Sequence, residues 1–209
     1  MSAIQQAVLA SGARAITFMA SAKTQNFSAQ ATLALSKPAG TVDGQLMLAF
    51  TAGGDTTNGT WTEAAGWAQA VQVSLRATHA AYKVAASEGS SYTLTYSSAV
   101  MVLCGAIVTY SNAAYDTAGG TYSGNNDLIL PSITVAQNSS LLLAFFSSKE
   151  LSITFTTPTG MTPLLSDSDG VGGSYALFYQ RVNAGATGTR TSTSSSIGGY
   201  GLLVSLKPN

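Results

Sequence analysis

Charge is what this chain has least of. Asp, Glu, Lys and Arg make up only 9% of its 209 residues, against about a quarter in ordinary soluble domains. Nine basic and nine acidic side chains cancel, so the chain has no electrostatic footprint for nucleic acid or an anionic membrane. His79 and Cys104 are each the only residue of their type. A lone cysteine excludes a disulfide within the chain and a cysteine-rich zinc site. A lone histidine means that any Ser-His-Asp triad or histidine-bearing metal site must use His79. No apolar run approaches the roughly 18 residues of a membrane helix. Residues 1–11 lack the basic n-region and long apolar core of a secretory signal. No glycine-rich phosphate loop opens a helix. The expectation is synthesis in the cytoplasm, no membrane insertion, no nucleic-acid partner, no cofactor, no metal and no enzymatic activity. The sequons at Asn26, Asn58 and Asn138 then carry no sugar.

Ser, Thr, Ala and Gly take the space that charges leave, and they separate short apolar runs. One of these runs is written twice: Leu46-Met47-Leu48-Ala49-Phe50 returns as Leu141-Leu142-Leu143-Ala144-Phe145. Upstream, Leu33-x-Leu35 returns as Leu128-x-Leu130. Downstream, Trp61 and Trp67 return as Phe155 and Met161, Lys83-Val84 as Arg181-Val182, and residues 105–110 as 201–206. The offset between the copies drifts by only a few residues along the half-chain, which is the mark of an internal duplication. A five-residue apolar run between turn formers is too short for a helix and fits a strand buried on both faces. The two copies are therefore expected at the centres of their sheets.

Alternating runs bounded by Gly, Pro, Asn and Ser recur throughout, and no long helix is indicated. Strands are expected near 15–19, 31–36, 46–50, 70–75, 78–85, 92–96 and 100–110, the last with a break at Gly105. In the second half they are expected near 127–135, 140–147, 152–156, 161–166, 173–182, 188–193 and 198–207. Residues 21–30 read as a loop, and 111–126 as a polar, Gly-rich connector. The fold class is all-β: a jelly-roll-like β-sandwich built from two pseudo-repeated halves. Residues 1–13 form a docking arm or short helix. Residues 14–209 form the sandwich, with repeat 1 at about 25–113 and repeat 2 at about 122–207. A half of this size, rich in small residues, would have a thin core alone, so one shared core is favoured over two small domains. A surface with so little charge resists association weakly, so neighbouring subunits are expected to cover part of it, as in a homo-oligomer.

Chemistry-bearing residues are sparse. His79 begins a strand with no marked Asp or Ser nearby and reads as a structural or surface histidine. Cys104 lies in an apolar run and reads as an inert buried thiol. Asp167-Ser168-Asp169-Gly170 resembles the opening of a calcium loop but lacks the remaining ligands, so it reads as a turn. Trp61 and Trp67 align with Phe155 and Met161 and read as core anchors. Tyr115 and Tyr122 fall in the connector, where loops carry recognition. They are the candidate ligand or partner contacts, with packing between the halves as the competing reading.

A further set of residues carries a family likeness. Lys37-Pro38-Ala39-Gly40-Thr41-x-x-Gly44, Trp61-Thr62-x-x-Ala65-Gly66-Trp67, Tyr82-Lys83-Val84-Ala85 and Ser91-Tyr92-Thr93-Leu94 form a series. With the run Ala184-Gly185-Ala186-Thr187-Gly188-Thr189-Arg190, it resembles a β-rich module of tailed-bacteriophage virion proteins, also seen in some bacterial surface proteins. The likeness covers roughly residues 14–207. Its motifs are turns and strand starts, and it brings no catalytic set. Ala64 stands where the pattern usually has Pro. The resemblance implies a virion structural protein, either a tail or baseplate accessory protein or a capsid decoration protein. Its partners would be other virion proteins. A carbohydrate- or receptor-binding module that meets a host surface glycan is the alternative.

Overall fold

The computed structural model describes residues 14–54, 59–73, 78–168, 173–195 and 198–209. The expected arm over residues 1–13, the sequon at Asn58, the strand end at Leu75 and the second carboxylate of the calcium-like run, Asp169, lie outside them. The described chain is all-β. Its first half contributes β1 (Thr17–Asn26), β2 (Gln30–Ser36), β3 (Leu46–Gly54), β4 (Trp61–Thr62), β5 (Ala68–Val73), β6 (Thr78–Val84), β7 (Ser91–Val100) and β8 (Val102–Ser111). The rest contributes β9 (Ala113–Ser123), β10 (Asp127–Leu130), β11 (Thr134–Val135), β12 (Ser140–Ser148), β13 (Thr162–Asp167), β14 (Ser174–Val182), β15 (Gly185–Ala186), β16 (Arg190–Thr193) and β17 (Gly199–Pro208).

Two five-stranded antiparallel sheets form the middle of the molecule, ordered β1-β8-β3-β6-β5 and β9-β17-β12-β14-β13. The two doubled leucine runs, on β3 and β12, each hold the central position. Outside the first sheet lies β2-β7-β4, and outside the second lie the pairs β10-β16 and β11-β15. The layers enclose three apolar clusters. Leu46, Leu48 and Phe50 of β3 meet Leu141, Leu143 and Phe145 of β12 in the cluster between the large sheets. Met47 and Ala49 turn the other way, onto Leu33, Leu94 and Trp61. Leu142, Ala144 and Phe146 likewise turn onto Leu128 and Leu130. The two-residue period of a strand sends alternate side chains to opposite faces, so an unbroken apolar run serves two cores at once. Each half thus encloses a core of its own, and a third core joins the halves. Two buried hydrogen bonds cross that third core: Thr78 Oγ1 to Ser147 Oγ at 3.0 Å, and Tyr175 Oη donating to the Gly105 carbonyl at 3.2 Å.

Four local expectations need correction. The strand expected at 152–156 is absent, and only Phe155 bridges there, to Ser194. The stretch read as a loop at 21–30 continues β1 as far as Asn26, hydrogen-bonded along β8 from Ser111 to Leu103. The connector at 111–126 is mostly strand β9, the edge of the second sheet, entered through Asn112 at φ 55°. Gly105 does not interrupt β8, whose pairing with β3 runs unbroken through Thr51↔Gly105. A Cβ at Gly105 would lie 2.5 Å from the Phe50 carbonyl oxygen. The glycine is there for close approach of the two backbones rather than for a break.

The pairing registers also fix which residues correspond. Met47 faces Lys83 across β3 and β6, and Leu142 faces Gln180 across β12 and β14. With Leu46 set against Leu141, the counterpart of Lys83 is Gln180 and that of Val84 is Arg181, one place from the match suggested by the residue types. The turns agree. Trp67 N donates to Ala64 O and Met161 N to Pro158 O, each turn with a glycine at positive φ, Gly66 (81°) and Gly160 (78°). Lys83 lies beside Gly66 and Gln180 beside Gly160. Positive φ at the third turn position requires glycine.

Candidate functional site

The sequence candidates fall in separate places. Tyr115 sits on β9 and lies flat on Tyr82 of the first half, ring centroids 4.2 Å apart and planes 10° apart. Its hydroxyl donates to the Ala70 carbonyl at 3.4 Å. Burial, then Tyr82 and Asp116, raise its pKa. It therefore packs one half against the other. Tyr122, near the far end of β9, stacks on Tyr200 at 5.3 Å and is 36% exposed. The two tyrosines stand apart and form no common site.

His79 has partners that were invisible in the sequence. It is fully buried, with Nε2 2.9 Å from Glu63 Oε1 and Nδ1 3.2 Å from Thr51 Oγ1. Its ring lies over Trp61. A carboxylate only accepts, so Nε2 carries the proton and Nδ1 accepts from the Thr51 hydroxyl. Burial lowers the His79 pKa, and the hydrogen bond and charge of Glu63 oppose it only in part. The order hydroxyl–imidazole–carboxylate is that of catalytic relays. Thr51 and His79 are both 0% exposed, however, so the arrangement ties β3, β6 and the turn after β4 together and presents no nucleophile at the surface.

Cys104 is buried, its thiol pushed up to about 12 by burial and then by Asp167. A thiol held protonated is a poor nucleophile and a poor metal ligand. Asp167 pairs with Lys23 at 3.3 Å, joining β13 to β1. Among the described residues no group of three His, Cys, Asp or Glu side chains could hold a metal ion. Trp61 and Trp67 lie in the core at 3% and 9% exposure.

The more informative features are clefts. Where the first strand of one half crosses the other half, a cleft opens, and the registers make the two clefts counterparts. One, of about 270 Å³, is lined by Leu46, Tyr82, Val84 and Tyr115, with Gly44, Ala113, Ala114 and Asn209. The other, of about 370 Å³, is lined by Leu141, Leu164, Tyr179, Arg181, Phe18 and Tyr110, with Ile16 and Thr17. Leu46 corresponds to Leu141, Tyr82 to Tyr179, Val84 to Arg181, and Tyr115 to Phe18. In the first cleft Tyr115 covers Tyr82. In the second, Phe18 turns its edge to Tyr110 at 5.8 Å and 69°. Arg181 Nη2 donates to the Ile16 carbonyl at 2.7 Å. Among the described residues the buried Tyr110 hydroxyl has no hydrogen-bond partner. Burial, and then Tyr179, hold it protonated far above the usual tyrosine range. A third groove, of about 250 Å³, runs over Phe155, Pro163 and Phe178 with Thr154, Thr157 and Ser166 along it.

Exposed apolar side chains mark another region. Asn26 pairs with Leu103 and Gln30 with Val100. The turn carrying Phe27 and the junction carrying Met101 therefore lie side by side at one end of the first half. Phe27 is 50% exposed and Met101 51%. Comparison with family models, with curated proteins and with solved structures finds no match to this chain.

Proposed function

We propose that this is a non-enzymatic structural protein of a tailed-phage virion that works by assembly, as a tail or baseplate accessory protein or a capsid decoration protein. The carrying observation is the paired exposure of Phe27 and Met101 at one end of the sandwich, at 50% and 51%, on a chain with only 9% charged residues. Large apolar side chains grouped on a low-charge surface mark a site for protein contact. The equivalent turn of the second half carries Gly124, Asn125 and Asn126 instead, so the patch gives the molecule one end for docking on a neighbouring virion protein. The resemblance to virion modules supports the setting, and the duplicated runs support an origin of the halves in one doubled unit.

The test is co-sedimentation with purified particles, alongside size exclusion with light scattering. The protein is expected to enrich with particles, and Met101→Lys to abolish the enrichment while leaving the thermal midpoint in place. A permanent monomer that never accompanies particles would refute the reading. Copy number per particle then separates the roles, with hundreds of copies for a capsid and a few dozen or fewer for a tail.

A second reading, glycan or receptor binding, draws on Tyr122, the exposed member of a stacked tyrosine pair. Stacked aromatics offer a flat apolar face to a sugar ring. Glycan-array binding lost with Tyr122→Ala would favour it, and an array without signal would remove it.

A further inference from the structure

The clefts at the junction of the halves are counterparts by register, yet they differ in size and lining. In the smaller one, of about 270 Å³, Tyr115 lies flat on Tyr82 and Val84 lines the wall. In the larger one, of about 370 Å³, Phe18 turns its edge to Tyr110, and Arg181 stands where the other has Val84. We propose that this larger cleft is a binding site for a small carboxylic acid with an apolar body of about one ring.

Size, charge and an unmet hydrogen bond point the same way. A volume of about 370 Å³ sits near the lower end of ligand pockets, which run from roughly 300 to 1,000 Å³. It admits a ring-sized molecule and not an oligomer. Ile16, Leu141 and Leu164 give apolar lining, and Phe18 and Tyr179 give aromatic walls. A polyhydroxylated sugar would leave most of its hydroxyls without partners on such walls, which favours an apolar body. Arg181 is, among the described residues, the only charged side chain of the lining. Among the described residues no Asp or Glu lies within ion-pair reach of it. One of its N–H groups is held by the Ile16 carbonyl, which fixes the guanidinium and leaves further donors for a carboxylate. Tyr110, which lines the cleft, is 1% exposed, and among the described residues its hydroxyl has no hydrogen-bond partner. A buried donor without an acceptor is costly, and an acceptor on a ligand removes that cost. None of this uses Phe27, Met101 or Tyr122, so the site stands apart from the assembly and glycan readings.

Phenylacetate is the probe, titrated into the full-length protein by calorimetry with chemical-shift mapping. Saturable binding is expected, with shifts at Tyr110, Tyr179 and Arg181. Phenylacetamide, which keeps the ring and loses the charge, should bind roughly tenfold or more weakly, the scale of one charge-assisted hydrogen bond. Arg181→Val, which installs the residue of the smaller cleft, should weaken phenylacetate by the same factor. The amide comparison uses the unaltered protein and does not depend on the variant folding. Equal affinity for acid and amide overturns the proposal. So does an Arg181→Val protein that binds phenylacetate like the parent, acetate binding as tightly as phenylacetate, or no saturation up to the solubility limit.

Discussion

His79 is neutral in the folded protein because burial disfavours its charged form more than Glu63 favours it. The unfolded chain takes up a proton near the ordinary value of 6.5, while the folded protein waits for a lower pH. Between the two values the unfolded state binds more protons, so stability rises with pH across that window. The contribution of neutral His79 is complete above about pH 6.5 and is lost as pH falls toward the folded value. Urea midpoints should therefore be level from about pH 7 to 8.5 and decline between about pH 6.5 and 5. His79→Gln should flatten that decline. It should also cost about 1–3 kcal/mol at pH 7.5, since Thr51 and Glu63 lose the geometry of their bonds. A parent protein with the same midpoint at pH 5.5 and 7.5 would contradict this account. The sequence placed His79 at the head of a strand but could not show its partners. Glu63 follows β4 and Thr51 lies on β3, and only strand pairing brings the three together.

Among the elements, β9 departs most from its sequence appearance. Its run Ala-Ala-Tyr-Asp-Thr-Ala-Gly-Gly-Thr-Tyr-Ser has no apolar alternation, and so it reads as a connector. Its place between the halves explains the composition. A Cβ at Gly120 would come within 2.6 Å of Val73 Cγ2 and 2.8 Å of Leu202 Cδ2, and Val73 is too short and branched to swing aside. Gly120→Val should destabilise the protein by about 1–3 kcal/mol through overpacking. Gly124→Ala, whose added carbon would meet nothing closer than Tyr122 Oη at 3.6 Å, should stay within about 0.5 kcal/mol. Equal midpoints for the two variants in chemical denaturation would show that β9 does not fill the junction as described. Elsewhere the elements were legible. Leu33 and Leu35 on β2, and Tyr92, Leu94 and Tyr96 on β7, alternate inward as their spacing implies. The doubled leucine runs are central because they are apolar at every position. Register was not legible at one-residue precision. Lys83-Val84 and Arg181-Val182 look alike, but a one-residue slip exchanges the two faces of a strand, and pairing sets Lys83 against Gln180. That same slip hid the second cleft, whose Arg181 occupies the position of an exposed valine. Tyr115 packs between the halves, as the competing reading of the sequence had it, and Tyr122 stays partly exposed; an aromatic side chain in the sequence does not show which other ring it lies on.

The described residues form three cores, of which the middle one belongs to both halves. If each half depended chiefly on its own outer core, the two would melt apart. The middle cluster argues otherwise. Phe50 and Phe145 stack across it at 5.2 Å, both fully buried, and Tyr175 adds a ring against Phe145 and a hydrogen bond to Gly105. Because Leu46 and Met47 are neighbours on one strand, the middle core cannot loosen without disturbing β3 and the outer core that Met47 fills. Unfolding should be one transition, with calorimetric and van't Hoff enthalpies equal. Phe145→Ala should cost about 3–5 kcal/mol and lower that single transition by roughly 6–20 °C for a protein of this size. Two transitions in the parent, or a variant in which only one half melts early, would mean that the halves are independent sandwiches in contact. Tryptophan fluorescence decides it from a distance: Trp61 and Trp67 lie only in the first half, whereas Phe145 lies in the second. The fluorescence midpoint of Phe145→Ala should fall as far as the calorimetric one, because the damage reaches Trp61 through Phe50 and the β3 backbone.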